Sequence, residues 1–264
     1  MVERLVPEEL WELFQRVVPP APRRPQGGGR RRYGDREVLA AIIFVATTGV
    51  RGSSCRRCSG HRALPHTGAS PSGRPRVCGP GCTGSCWTSW VRAVSWTGRV
   101  ARSTLSASVR AKGELTGPNP VDRGKRGSKI HLLTDRAGLP LSVGISAANT
   151  HDKLALEPLV RGSAPIRSRR GRRRCRPAKL HGDKGYDYAD LRRWLRGRGM
   201  TPRIARRGIE SSDRLGRHRW VVERTVSWLS GCRRLHRRYE HKPEHFLAFV
   251  GIAATLIWHR RLAK

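Results

Sequence analysis

The sequence predicts an α/β fold: a mixed sheet flanked by helices, preceded by a small helical segment and interrupted by an irregular middle. Three observations predict it. From residue 128 onward, strand-like and helix-like patterns follow in the order strand, strand, helix, strand, helix, strand, helix, helix. The first fifty residues carry two helical patterns. Residues 38–113 contain no Asp or Glu, and no part of 51–100 holds a sustained period.

The elements follow in order. PEELWELFQRVV, 7–18, reads as a helix: Pro7 suits a first turn, and Glu8 and Glu9 suit the positive helix end. Leu10, Leu13 and Val17 fall on one face. PPAPRRPQGGGRRRY, 19–33, is a Pro/Gly/Arg linker. A second helix starts near Asp35, runs through EVLAAIIFVAT and stops near Gly49. SKIHLLTDRAGLPLSVGIS, 128–146, is two apolar runs around DRAG, a hairpin pattern. THDKLALEPLV, 150–160, reads as a helix, and the seven Arg between 167 and 176 as an exposed loop. AKLHGDKGYD, 178–187, is a short strand ending in a polar turn. YADLRRWLRGRG, 188–199, is a helix with a Gly stop, and TPRIARR, 201–207, a short strand. Residues 216–240 read as one long amphipathic helix, and KPEHFLAFVGIAATLIWHRRLAK as another.

Composition narrows the function. The chain has 264 residues with 46 Arg, 8 Lys and a formal net charge of +35. So large a charge repels itself in the compact state, so an anionic partner is expected. Nucleic acid leads, because Arg pairs bidentately with phosphate and stays charged. Hydrophobic residues make up 37%, so the core is not spread evenly over the chain. The longest apolar runs, at 38–50 and 246–258, fall short of the roughly 18 residues a membrane span needs. The N-terminus is acidic and amphipathic, unlike a signal peptide. A cytoplasmic, nucleoid-associated protein with reduced thiols is expected.

Two carboxylates stand out. Asp183 follows a predicted strand and precedes a Gly turn, a place where metal and phosphate chemistry is often sited. Glu223 lies mid-helix among Arg and His. Brought together, they would hold divalent Mg²⁺ or Mn²⁺, which at a phosphodiester activates a water or a 3′-hydroxyl and stabilises the leaving oxygen. The alternative is structural: Glu223 pairs with Arg219 or Arg224, and Asp183 caps a turn. Trp220 and Trp228, which flank Glu223, read as core residues, with stacking on a displaced base the alternative. Arg167, Arg169, Arg170, Arg172, Arg173 and Arg174 are candidates to clamp phosphates without reading sequence. Cys55, Cys58, Cys78, Cys82 and Cys86, with His61 and His66, have spacings that only loosely suit zinc.

Three segments carry a specific resemblance: SVRAKGELTGPNPVDRGKRGSKIHLLTDRAGLPLSVGISAANTHD, KLHGDKGYD and RHRWVVERTVSWLSGCRRLHRRYEH. With them, residues 106–264 resemble the ribonuclease H-like catalytic core of bacterial insertion-sequence transposases of the DDE type. Residues 1–50 resemble the start of that family's N-terminal DNA-binding domain. The resemblance implies an enzyme that cuts element ends by metal-dependent hydrolysis and joins the 3′-hydroxyls to target DNA. DNA (element ends and target) would be the partner, with the protein as a candidate homodimer. Asp183 matches the second metal-binding carboxylate and Glu223 the third, with Arg219 and Arg224 of the same helix facing the DNA. The first belongs in a motif D-x-x-x-V-R-A, but here the residue four before Val109 is Leu105. The nearest spare carboxylates are Asp122 and Asp135.

This departure adjoins the acid-free stretch, where residues 51–105 lack the family's helical pattern. A GC-rich gene read in the wrong frame yields such a composition. The sequence therefore predicts three parts: helical residues 1–50, an irregular and disordered frame-shifted insert at 51–105, and a core at 106–264 without its first Asp. The expected activity is impaired or lost. The alternatives are a catalytically dead remnant that still binds DNA, and a basic nucleic-acid-binding protein with no catalytic history.

Overall fold

The computed structural model describes residues 1–18, 33–50, 97–109, 113–120, 123–163, 166–167, 173–174, 176–209 and 212–262; for 97–109, 166–167, 173–174 and 212–219 it describes the backbone alone. Helices α1 (Val2–Leu5), α2 (Glu8–Gln15) and α3 (Asp35–Thr48) come first. The expected helix at 7–18 is thus shorter, and α1 precedes it unforeseen. Helix α3 matches expectation. Its Leu39, Ala40, Ile43 and Ala46 are buried along one stripe. Gly49 ends it at φ 71°, and a Cβ there would lie 3.0 Å from the Arg233 Cβ.

Strands β1 (Thr97–Val109), β2 (Gly117–Pro118), β3 (Arg126–Thr134) and β4 (Pro140–Ala147) follow, then α4 (Lys153–Arg161). Next come β5 (Ile166–Arg167), β6 (Arg173–Arg174), β7 (Lys179–Gly182), a 3₁₀ turn (Lys184–Tyr186), α5 (Ala189–Gly197) and β8 (Thr201–Ile204). Helix α6 (Ser212–Ser230), a second 3₁₀ turn (Arg233–His236), β9 (Arg237–Arg238) and α7 (Pro243–Leu262) complete the chain.

The main sheet runs β4-β3-β1-β7-β8, with β2 on β3 and β9 on β1. Strand β3 runs antiparallel to both β1 and β4, whereas β7 and β8 continue parallel to β1. Helix α6 packs on β1, α4 on β3 and β4, α7 on β4, and α5 on β8. The main core joins Ile130, Leu132 and Leu180 of the sheet to Leu156, Leu195, Leu229 and Phe246 of the helices. A second cluster seats Val6, Leu10, Leu39 and Ile43 against Leu256 of α7. No helix among the described residues is long and apolar enough to cross a membrane.

Three expectations need correction. Residues 97–105, placed in the irregular middle, form most of β1, because pairing with β3 and β7 supplies what local pattern does not. The remaining 51–96 lie outside the described residues. The long helix at 216–240 ends at Ser230. Gly231 interrupts it, and the chain turns so that Arg238 pairs beside Val109. Arg238 is fully buried and donates to Ser128 Oγ at 2.6 Å and to the carbonyls of Leu115, Glu240 and His241. Finally, the Arg-rich loop is pinned at its base by a two-residue ladder, Ile166 to Arg174 and Arg167 to Arg173.

The β3–β4 turn is held by helix α6. Gly138 sits at φ 85°, and its carbonyl accepts from Thr225 Oγ1 at 2.6 Å. A Cβ at Gly138 would lie 2.7 Å from that hydroxyl and 3.2 Å from the Val221 carbonyl. Gly138→Ala therefore combines left-handed strain with overpacking and should cost about 2–3 kcal/mol, read as a lowered midpoint in thermal or urea unfolding.

Candidate active site

Asp183 leaves the carboxyl end of β7 and begins the 3₁₀ turn. Its Oδ1 accepts from the Gly185 N–H at 2.9 Å, so it does cap a turn. Its side chain is half-buried. Glu223 is exposed on α6, the helix that packs on β1. Both carboxylates therefore belong to elements adjoining β1. Among the described residues no three His, Cys, Asp or Glu side chains gather to hold a metal.

The register of β1 sets Leu105 relative to β7 and β3. Thr97, Gly98 and Arg99 pair with Lys179, Leu180 and His181. Two further steps set Ala101 level with Asp183. Leu105 lies four residues beyond, roughly 13 Å of extended strand. It also falls in an irregular stretch, because the pairing shifts between Ser103, opposite Ile130, and Ala107, opposite Ser128. Of the two spare carboxylates, only Asp135 lies among the described residues. Asp135 is 1% exposed and its Oδ1 accepts from the Leu139 N–H at 2.7 Å, which makes it a brace of the hairpin turn. Asp122 lies outside the described residues, as do all the zinc candidates in 55–86. Two carboxylates alone would give a divalent ion fewer oxygen ligands than the Mg²⁺ or Mn²⁺ centre expected from sequence needs.

The basic candidates divide. Arg224 donates to the Ala137 carbonyl at 2.6 Å, with its guanidinium 4.4 Å from the Trp220 ring and 4.9 Å from the Trp228 ring. It ties α6 to the hairpin turn. Trp220, expected in the core, is 51% exposed, because the helix turns it outward at the i−4 position to stack on Arg224. Trp228 is half-buried against the main core, as expected. The side chains of Arg219, Arg167, Arg173 and Arg174 are not among those described, and Arg169, Arg170 and Arg172 lie outside the described residues.

Residues that sequence reasoning passed over surround the Asp183 turn. Asp187 accepts from Arg192 Nε and Nη2 at 2.9 and 2.7 Å and from the Arg207 N–H at 2.9 Å. Those donors, the Arg207 N–H foremost and then the Arg192 guanidinium, hold its carboxyl below the ordinary aspartate range. Buried Lys129 pairs with Asp152 at 3.2 Å and donates to the Thr150 carbonyl at 2.8 Å, which fixes the THD segment. The only sequence signal was the polar texture of THD and GYDY.

A depressed carboxyl stabilises the fold above its unfolded-state value, and that contribution disappears as pH falls through the folded-state value. Asp187→Asn should therefore lower stability by about 2 kcal/mol at neutral pH. The gap to the parent chain should close below about pH 4, as urea unfolding across pH would measure.

Comparison with known proteins places this geometry. Residues 89–258 match the family described as Transposase DDE domain. Over 149 residues the chain is 45% identical to the Burkholderia cepacia protein "Putative transposase for insertion sequence element IS402", which covers 56% of this chain and 71% of that relative. It is also 38% identical over 52 residues to "Insertion element IS402 uncharacterized 16.2 kDa protein" of Burkholderia cepacia, 19% of this chain and 35% of that one. No solved structure matches. A match across more than half of the chain and a relative this similar leave one conclusion: the chain belongs to the DDE transposase domain family.

Proposed function

We propose that this chain is an insertion-sequence transposase that binds DNA but has lost metal-dependent strand cleavage and transfer. The observation that carries the proposal is Leu105 in β1, where the resemblance calls for the first of three carboxylates. Asp183 and Glu223 remain as the second and third. Two carboxylates leave a divalent ion poorly held, and in-line phosphoryl chemistry depends on geometry fixed within a fraction of an ångström. The sheet, three antiparallel strands continued by two parallel ones and covered by helices, supports a ribonuclease H-like core. The net charge of +35 supports DNA, both element ends and target, as the partner. Pairing two ends calls for a homodimer, and DNA binding for association with the nucleoid.

A frame-shifted insert at 51–105 accounts for the acid-free composition and the lost carboxylate together. Family membership disfavours a basic protein without catalytic history.

One experiment tests both halves of the proposal. Binding to duplex DNA should weaken steeply with salt, log K falling by about 0.9 per phosphate neutralised. The same protein with Mg²⁺ or Mn²⁺ should leave a supercoiled plasmid uncut. Leu105→Asp should also leave it uncut, because the residues around position 105 also depart from the family's pattern. Cleavage by either chain, or binding that is flat between low and moderate salt, would sink the proposal.

A further inference from the structure

Strands β1, β4, β7 and β8 all point the same way: β4 and β1 are antiparallel to β3, and β7 and β8 are parallel to β1. The segments after β4, β7 and β8 therefore leave one end of the sheet, where open α/β sheets place their ligands. From those three segments His151, Tyr188 and Arg207 converge.

Their hydrogen bonds fix the direction of one proton. The Lys153 N–H donates to His151 Nδ1 at 3.2 Å, so in the neutral ring Nε2 carries the hydrogen. Nε2 then donates to Tyr188 Oη, 2.9 Å away. Arg207 Nη2 donates to the same oxygen at 3.2 Å. With both lone pairs filled, the phenolic hydrogen has to point away from both donors, and no acceptor among the described residues takes it. Lys153 Nζ lies 4.6 Å from the Tyr188 ring centre and the Arg207 guanidinium 5.0 Å from it. Arg207 Nε is anchored on the Lys184 carbonyl at 3.1 Å, next to Asp183.

Two nearby carboxylates are already paired, within the cluster or beside it. Asp187 is taken by Arg192 and the Arg207 N–H, and Asp190 pairs with Lys153 at 2.7 Å. Both His151 and Arg207 are exposed. The result is a fixed, polarised O–H donor with an arginine bound to it and a lysine over its ring, the chemistry of a seat for a singly charged oxyanion.

We propose that Tyr188 Oη and Arg207 seat one backbone phosphate of a DNA strand running past Asp183, with His151 as the residue that positions the tyrosine. This rests on the DNA-binding reading above, and the test separates the two. The full chain, Tyr188→Phe, His151→Asn, Arg207→Gln and the double variant Tyr188→Phe/His151→Asn would be titrated with a random-sequence DNA duplex across a salt series. Their thermal midpoints would report folding.

Tyr188→Phe should weaken binding about tenfold, as loss of one charge-assisted hydrogen bond does. It should leave the salt slope unchanged, because a neutral donor releases no counterion. Arg207→Gln should weaken binding and also reduce the slope by about 0.9. His151→Asn should weaken it less than Tyr188→Phe and add nothing in the double variant. If the parent binds with a steep slope and folded Tyr188→Phe binds as tightly, the seat is wrong and the DNA reading stands. A parent chain that binds with no salt dependence overturns both.

Discussion

Strand β1 is the constraint on which the rest of the structure depends. It carries β3 along one edge and, on the other, β7 at its start and β9 at its end. Helix α6 lies on it. Asp183 is positioned because β7 pairs with the first residues of β1, and Glu223 because its helix packs across the same strand. Even Arg238, the most costly group to bury, enters the interior as the partner of Val109 in β9. Its guanidinium is satisfied by one hydroxyl and three carbonyls, as a buried charge requires.

That dependence explains what could be read in the sequence and what could not. The hairpin around DRAG was legible because apolar runs flank a glycine that the turn needs at positive φ. Helix α3 was legible for the same local reasons, a buried stripe and a left-handed Gly49 stop. Strand β1 was not. TGRVARSTLSASV is rich in small polar residues, and only pairing with distant β3 and β7 makes it a strand. The end of α6 was misjudged for a related reason. The amphipathic pattern runs past Ser230, but the sheet claims Arg237 and Arg238 as a further strand.

The site divides along the same line. Asp183 and Glu223 could be singled out from local context, one at a strand end and one among Arg and His, but their roles came from resemblance. The Tyr188 cluster could not be found this way, because its hydrogen bonds join residues 37 and 19 positions apart. Trp220 shows the limit of helical periodicity. Spacing places it on a face with Glu223 and Arg224, yet only the fold decides that this face meets solvent.

The proposed loss of the first carboxylate is physically compatible with the fold. A carboxylate in a central strand costs desolvation free energy, and its catalytic use requires that it remain charged and imperfectly paired. Leucine at such a position removes that cost, and Leu suits a strand at least as well as Asp does. The buried interactions that do stabilise this core lie elsewhere: Lys129 with Asp152, Arg238 with its carbonyls, and Thr225 with the Gly138 turn. None of them passes through Leu105. Phosphate binding by exposed cations is likewise independent of a metal centre, since it draws on net charge and surface donors. Chemistry that rests on one ligand can therefore vanish while the fold and its affinity for an anionic polymer remain.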